Sequence, residues 1–388
     1  MSPPRPRWRL TKPLRARIRE GHPWIYDRAL APVPAGLAAG ELVTIVDDDG
    51  PVATAFADPL SPLRARVLDE PDARIDHAWK RARVQAAAIR RVRDPLLVGC
   101  TGRRIVHGEG DACPGLVIDV YADTAVVVFD GEAAAAFWRP ALGDVITGAI
   151  DGGIEIAHVW VRASRGTTGQ GSAFRGNAPA EITITEDEAR FVVDVRHGQK
   201  TGFFLDQREN RRVIRRHAMG TTTLNLFSYS GGFSLHAALG GASHVTSVDI
   251  APAAIEALGR NVTLSGLAPQ ETAVADVFDY LARQARKGRR WDLVIVDPPS
   301  FAPSERAKPG ALTAYRKLAT AALAVTELGG RFALASCSSH VTETDLLAMM
   351  ATVAPNARLR WSAGSASDHP VLPGFAEGRY LKFLFFDV

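Results

Sequence analysis

The chain has 388 residues, 46% hydrophobic and 23% charged, with a net charge of +4 and three cysteines. That length suits two or three domains, and the composition excludes a disordered chain. Three cysteines give no disulfide framework, the basic start MSPPRPRWRL lacks the apolar segment of a secretory signal, and no apolar run spans a bilayer, so a cytoplasmic protein with no membrane partner is expected.

The chain reads in three parts. In the first, residues 1–70, GELVTIVDDDGPVATAFAD is two strands around an Asp-Gly turn and LRARVL a third, making a small β-rich unit. The second covers residues 71–180. DHAWKRARVQAAAIRRVRD has helix-favouring residues and is ended by Pro95. RRIVHGEGDACPGLVIDVYADTAVVVFD follows as hairpin strands, then an alanine-rich helix through Phe137 and Trp138, then the strand IAHVWVRAS. The mixture predicts an α+β middle domain. Arg165 to Pro179, rich in glycine and small polar residues, reads as a loop or linker.

The third part, residues 181–388, alternates. TTTLNLF, HVTSVDI, ETAVAD, WDLVIVDPP and RFALASCS are strands. Between them GGFSLHAAL, APAAIEALGRNVTLSG, VFDYLARQARKG and ALTAYRKLATAALAVTELGG are helices. TETDLLAMMATV is a further helix, and ARLRWSAG and RYLKFLFFDV are the last strands. Repeated βα units with apolar strands predict an α/β fold with a parallel sheet covered on both faces. The last strand, arriving without a long helix, is expected to be antiparallel.

Three basic clusters stand out: Arg5, Arg7, Arg9, Lys12, Arg15, Arg17 and Arg19; Lys80, Arg81, Arg83, Arg90, Arg91 and Arg93; and Arg208, Arg211, Arg212, Arg215 and Arg216. One such cluster is ordinarily a solvated helix face with local ion pairs. Three together point toward a nucleic acid.

The strand ends carry the chemistry, as they do in open α/β sheets. Gly231 and Gly232 follow the first strand and allow a ligand to approach the backbone. Asp249 ends the second and suits ribose hydroxyls; Asp276 ends the third and suits an adenine amino group. The dinucleotide fingerprint GxGxxG is missing, which disfavours a dehydrogenase, whereas S-adenosylmethionine (SAM) has no pyrophosphate and does not need it. Asp297, before two prolines, belongs at the mouth of the sheet. Cys337 stands where the fifth strand gives way to a loop, in ASCSSH.

The segments GQKTGFFLDQRENR, NLFSYSGGF, VDPPSF, SCSS and DHPVLPGF together resemble the class I SAM-dependent methyltransferases that modify large-subunit ribosomal RNA. The nearest subgroup makes 5-methylcytosine and carries an N-terminal PUA domain and a central EEHEE domain. LTKPLRARIREGHPWIYDRAL and RIVHGEGDACPGLVIDVYAD fit those two domains. The resemblance implies a Rossmann-like catalytic domain with a mixed seven-stranded sheet, preceded by a small β-barrel-like PUA domain and an α+β domain. It implies SAM as cofactor, 23S ribosomal RNA as partner and a possible homodimer.

Residue by residue, the resemblance implies cofactor contacts at Phe204, Asp206, Gln207, Arg208, Asn225, Phe227, Ser228, Gly231, Gly232, Asp249, Ile250, Asp276, Val277 and Asp297. It implies substrate contacts at Lys200, Phe203, Pro298 and Pro299. Phe203 and Phe204 are equally readable as core aromatics. Cys337 inherits the role of nucleophile, because carbon 5 of cytosine becomes reactive only when a thiolate adds at carbon 6. Asp297 would hold the N3/N4 edge of the base. Ser300 stands where some RNA cytosine-5 methyltransferases have a second cysteine, which favours the one-cysteine subgroup. His340 is a candidate base. Cys100 and Cys113 read as structural, and no metal is expected. Two other readings stay open: a same-fold enzyme acting on a guanine ring nitrogen without a thiolate, and an RNA-binding protein without turnover.

Overall fold

The computed structural model describes residues 5–163, 171–302 and 304–388. The chain forms two compact units. The first comprises residues 1–182, 193–203 and 367–378; the second comprises 183–192, 204–366 and 379–388.

The first unit holds two five-stranded sheets. One runs in the order Arg7–Arg9, Leu42–Asp47, Gly50–Ala57, Leu63–Asp69, Trp24–Tyr26. Its alternation buries Val43, Ile45, Ala55 and Ala65 with Trp8 and Ile25. The other runs Ser172–Arg175, His158–Val161, Thr124–Phe129, Leu116–Tyr121, Gly102–His107. The helix His77–Val92 starts where Asp76 accepts from the Trp79 N–H at 2.9 Å, and the helix Leu142–Asp151 packs on it. Of the loop expected over 165–179, residues 165–170 lie outside the described residues. Ser172–Arg175 is a strand instead, paired antiparallel with His158–Val161. All four of its side chains are exposed, so no alternation marks it in the sequence.

DHPVLPGF belongs to this first unit. The buried Asp368 accepts from the Arg104 N–H at 2.9 Å through its carboxylate and from Arg91 Nη2 at 2.8 Å through its carbonyl. Phe375 stands edge-on to Trp24, ring centres 4.6 Å apart.

The second unit is built on a seven-stranded sheet: β1 (Thr222–Leu226), β2 (His244–Asp249), β3 (Glu271–Val274), β4 (Trp291–Val296), β5 (Thr326–Ser336), β6 (Arg358–Ala363) and β7 (Lys382–Asp387). The order is β3-β2-β1-β4-β5-β7-β6. The first five strands are parallel, and β7 runs antiparallel between β5 and β6. The helices are α1 (Arg208–Arg216), α2 (Gly232–Leu239), α3 (Pro252–Leu264), α4 (Val277–Arg286), α5 (Lys308–Leu323) and α6 (Glu343–Val353). Apolar clusters flank the sheet, one around Val294, Phe332 and Leu318, another around Ile295, Phe385 and Ile214. At the edge, β6 is almost wholly exposed and bulged between Leu359 and Trp361.

The helix expected over 311–330 is corrected at both ends. It begins at Lys308 and stops at Leu323, and Thr326 already pairs with Trp291 of β4. Thr326 pairs with β4, the register then shifts until Arg331, and between them Gly329 donates its N–H to the Val388 carbonyl at 2.8 Å and takes a φ of 80° that no helix allows.

Candidate active site

Strand β1 lies between β2 and β4, so the chain winds away from it in both directions and leaves a crevice at its C-terminal end. The loop that follows is strained. Phe227 and Tyr229 take φ of 59° and 46°, and Gly231 takes 88°. Such angles cost a side-chain-bearing residue on the order of 1 kcal/mol or more and persist only where surroundings impose them. Here the Ser228 N–H donates to the Val248 carbonyl at 3.0 Å and the Tyr229 N–H to Asp249 Oδ2 at 2.8 Å. Asn261 Nδ2 donates to the Ser230 carbonyl at 2.9 Å. A Cβ on Gly231 would meet Leu258 Cγ at 2.7 Å, so only glycine fits.

Asp249 thus holds the loop through its carboxylate. Its Oδ1 also accepts from the Ala251 N–H at 2.9 Å, fixing the carboxylate at the end of β2. Ile250, next to it, is 67% exposed, an apolar surface beside an acid. Asp276 caps α4 through Oδ1, accepting from the N–H groups of Phe278 and Asp279. Val277 turns into the core. Asn225 Nδ2 donates to Ser234 Oγ at 2.8 Å. Among the described residues Asn225 Oδ1 and Ser228 Oγ are buried with no hydrogen-bond partner. Buried polar atoms are ordinarily completed by protein, water, an ion or a ligand. A strained glycine loop, two orphaned oxygens and a fixed acid fit an adenosine carrying an amino-acid arm.

The other half of the site is built from β4 and β5. Val296 pairs with Leu334, so Asp297 and Cys337 leave adjacent parallel strands at the same end of the sheet. Asp297 Oδ2 accepts from Gln207 Nε2 at 3.1 Å, and Gln207 Oε1 accepts from Asn210 Nδ2 at 2.6 Å. Asp206 Oδ2 accepts from the Tyr380 hydroxyl at 2.6 Å. Ser300 and Ser338 share a hydrogen bond of 2.9 Å between their hydroxyls, and the Ala302 N–H donates to Ser338 Oγ at 3.0 Å, stitching the DPPSF loop to the SCSS turn. Pro298 is buried and Pro299 exposed. Beneath them the Tyr315 hydroxyl donates to Ser336 Oγ at 2.8 Å. Burial pushes the Tyr315 phenol up, the Ser336 bond opposes this, and charge on Cys337 and Asp297 adds to the rise, so both groups bear on one hydroxyl.

Cys337 is half-buried, whereas Cys100 and Cys113 are in the core of the first unit. Phe204 is half-buried, edge-on to Tyr229 with ring centres 5.3 Å apart, and Arg208 is fully buried. Lys200 and Phe203 belong to the first unit, where Phe203 is only 3% exposed. There Thr201 bonds to the Tyr121 hydroxyl at 2.7 Å. His340 Nδ1 lies 3.1 Å from Glu305 Oε2, a bond at the rim. Sequence reasoning missed Tyr315, Tyr380, Lys382 and Asn210; of the supporting groups only Ser338 carries a local signal, the repeated serine of SCSS.

Most of the basic residues in two clusters are neutralised. Arg81 bonds Asp151, Arg83 bonds Asp69, and Arg90 and Arg91 bond Asp111. Arg211, Arg212 and Arg215 bond Glu186, Asp187 and Glu188 in turn. The first cluster is mixed: Arg9 bonds Asp48 and Arg15 bonds Asp47, whereas Lys12 is exposed and Arg17 meets Glu377 at 3.4 Å. A cavity of about 330 Å³ in the first unit is lined by Lys12, Arg17 and Arg28 with Trp24, Tyr26 and the apolar Leu14 and Ile18. Among the described residues no group of three or more histidine, cysteine or acidic side chains could hold a metal, and no helix is long and apolar enough to cross a membrane.

A crevice at the switch point of a mixed seven-stranded sheet, with a strained glycine loop and acids at successive strand ends, defines a methyltransferase of the SAM-dependent class. The chain belongs to that family: the family's S-adenosylmethionine-dependent methyltransferase model matches residues 156–363, and a PUA-like domain model matches residues 9–70. It is 40% identical to a ribosomal RNA large subunit methyltransferase of Deinococcus radiodurans, with 99% of this chain and 98% of that one covered. It is 33% identical to the ribosomal RNA large subunit methyltransferase I of Aeromonas salmonicida, with 94% of each covered. A Streptococcus mutans protein described as a SAM-dependent methyltransferase has the same fold, with a TM-score of 0.85 at 22% identity over 99% of this chain and all of that one. A further solved methyltransferase, complexed with S-adenosylhomocysteine, gives 0.86 at 22% over the same shares. SAM is the cofactor.

Proposed function

We propose that the protein methylates large-subunit ribosomal RNA, making 5-methylcytosine in 23S RNA through a covalent adduct on Cys337. The observation that carries this reading is the stitched pair of loops. Cys337 and Asp297 leave adjacent strands, and the Ser300–Ser338 bond holds their loops together. Bound SAM supplies an electrophilic methyl group. The protein's task is to make carbon 5 of the base nucleophilic. The Cys337 thiolate adds to carbon 6, its lone pair forming an S–C bond while the C5=C6 π bond breaks and its electron pair moves to carbon 5. Asp297, oriented by Gln207, faces the N3/N4 edge of the base and, when protonated, offsets charge building on the ring. After the methyl group has joined carbon 5, a base removes that carbon's proton, the electron pair returns, the S–C bond breaks and the thiolate is freed.

The cofactor half is read as follows. Asp249 takes the ribose hydroxyls, Ile250 and the segment at Asp276 and Val277 flank the adenine, and Asn225, Ser228, Gly231 and Gly232 take the amino-acid arm beside Phe227. Asp206, Gln207 and Arg208 form the floor with Phe204. Pro298 and Pro299 shape the base pocket, and Lys200 and Phe203 serve the RNA. Residues 1–70 and 71–180 grip RNA and 181–388 carry out the transfer. Relatives named ribosomal RNA large subunit methyltransferase and the PUA-like match support an RNA substrate. The cavity among Lys12, Arg17, Arg28, Trp24 and Tyr26 has the cations and ring faces that an unpaired nucleotide needs. The target base must leave its stack to reach the thiol.

The test is methyl transfer from labelled SAM to unmodified large-subunit RNA, with nucleoside analysis. Wild type is expected to yield 5-methylcytosine, and Cys337→Ala none while still binding SAM. A methylated guanine, or an active Cys337→Ala protein, replaces this reading with the guanine-nitrogen one.

A further inference from the structure

Lys382 opens β7 directly across from Ser336, the last residue of β5. It is only 6% exposed. Its Nζ donates to the Ser338 carbonyl and, at 2.9 Å, to the Tyr380 carbonyl. Backbone pairing at Ser336 and the ammonium at Ser338 thus bracket Cys337 from both sides. Burying an ammonium against carbonyls alone is costly, because desolvation favours loss of the proton. Among the described residues no carboxylate forms an ion pair with it; Asp345, the nearby acid of α6, is bonded to Lys308 at 2.8 Å.

We propose that Lys382 is a positioning residue for Cys337, its ammonium holding the SCSS turn in place and favouring the ionised thiol. This rests on the reading of Cys337 as nucleophile for its purpose, but not for its test. Burial outweighs the opposing negative charge on Cys337 and then on Asp345 and holds the Lys382 ammonium down at about 8. Charge on the sulfur and charge on the nitrogen therefore stabilise each other. The other groups around the turn are Tyr315 from α5, Asp297 from the end of β4, Asp345 with Lys308 from α6 and α5, and His340 with Glu305 at the rim. Of these, Asp297 and Asp345 oppose a thiolate. Lys382 supplies the cation on the buried side.

The experiment is alkylation of the full-length protein by iodoacetamide across pH, followed at the Cys337 peptide by mass spectrometry. Cys100 and Cys113 lie at 1% and 0% exposure and report separately. Wild-type Cys337 should alkylate with a midpoint below the ordinary thiol value of about 8.5. Lys382→Met should move that midpoint up by about one unit, a roughly tenfold loss of thiolate at neutral pH. Lys382→Gln, which keeps a donor but no charge, should move it likewise, and Lys382→Arg should keep it low. A wild-type midpoint at or above 8.5, or one midpoint for all four proteins, overturns the proposal. If Lys382→Met does not fold, the wild-type midpoint and the glutamine variant decide. A shifted midpoint beside an active Cys337→Ala protein sinks the covalent mechanism and leaves the lysine–cysteine pair standing. An unshifted midpoint beside an inactive Cys337→Ala protein does the reverse.

Discussion

Helix α1 packs five arginines into nine residues, and three of them, Arg211, Arg212 and Arg215, close on the acids Glu186, Asp187 and Glu188 of one β-turn. The start of the chain carries a similar density of cations, but Lys12, Arg17 and Arg28 are exposed and ring a cavity with Trp24 and Tyr26. Arg17 reaches an acid only at 3.4 Å, in Glu377. A guanidinium pinned by a carboxylate offers no field to a phosphate, whereas an exposed one releases counterions when RNA arrives. Helix α1 ties up most of its charge within the fold; at the chain start Arg9 and Arg15 do the same with Asp48 and Asp47, while Lys12, Arg17 and Arg28 stay exposed.

The largest effect should come from breaking the internal pair. Glu186 and Arg211 are each 2% exposed, and His236 Nε2 lies 2.9 Å from the same carboxylate. Glu186→Ala leaves a buried guanidinium without its partner and should cost about 3–5 kcal/mol, read by urea unfolding at neutral pH. The pH dependence has a definite sign. Burial raises the Glu186 carboxyl, but Arg211 and then His236 outweigh it and hold the group below its ordinary 4.5. Its contribution is therefore present above that value and is lost as pH falls through the lower folded value, so wild type and variant should converge in acid.

Next in size, replacing Lys12, Arg17 and Arg28 together by alanine should leave the melting temperature unchanged and weaken RNA binding at least tenfold. The slope of log affinity against log salt should fall by about 2 to 3, at roughly 0.7 to 0.9 per phosphate contact. An unchanged slope would remove the cavity from the RNA surface. Tyr26→Ala, which deletes an exposed ring, should cost about 1–3 kcal/mol of RNA affinity with the salt slope intact. The smallest effect belongs to Arg215→Gln. Its partner Glu188 is 65% exposed, so stability should change by less than about 1 kcal/mol and RNA affinity not at all. A large loss of RNA affinity there would erase the contrast between the regions.

The order of βα units is readable because strands such as Trp291–Val296 are apolar on both faces and bounded by polar turns. The glycine loop, Asp249, Asp297 and Cys337 are readable because each sits at such a strand's end. What the sequence hides is pairing across distance. The acids that quench Arg211 and Arg212 lie 25 residues before them. Lys382 is 44 residues from the carbonyl it holds, and no local pattern marks it. Ser172–Arg175 is hidden for the opposite reason, since its form comes from backbone bonds and not from side-chain burial. Asp276 was legible as an acid at a strand end but not as the cap of α4, a role set by where the next helix begins.

The outermost strand, β6, has a bearing on the protein's behaviour in a crowded solution. A straight, exposed strand edge is a template for another chain, and self-association through it ends in aggregates. Here that edge carries Arg358 and Arg360 and breaks its register between Leu359 and Trp361. The bulge twists the unpaired groups out of line, and the side chains there include Arg358 and an Arg360 paired with Asp387 at 3.3 Å. At the opposite edge β3 is only four residues long, too short to template much. A bulge at one edge and a short strand at the other are both features that disfavour strand addition.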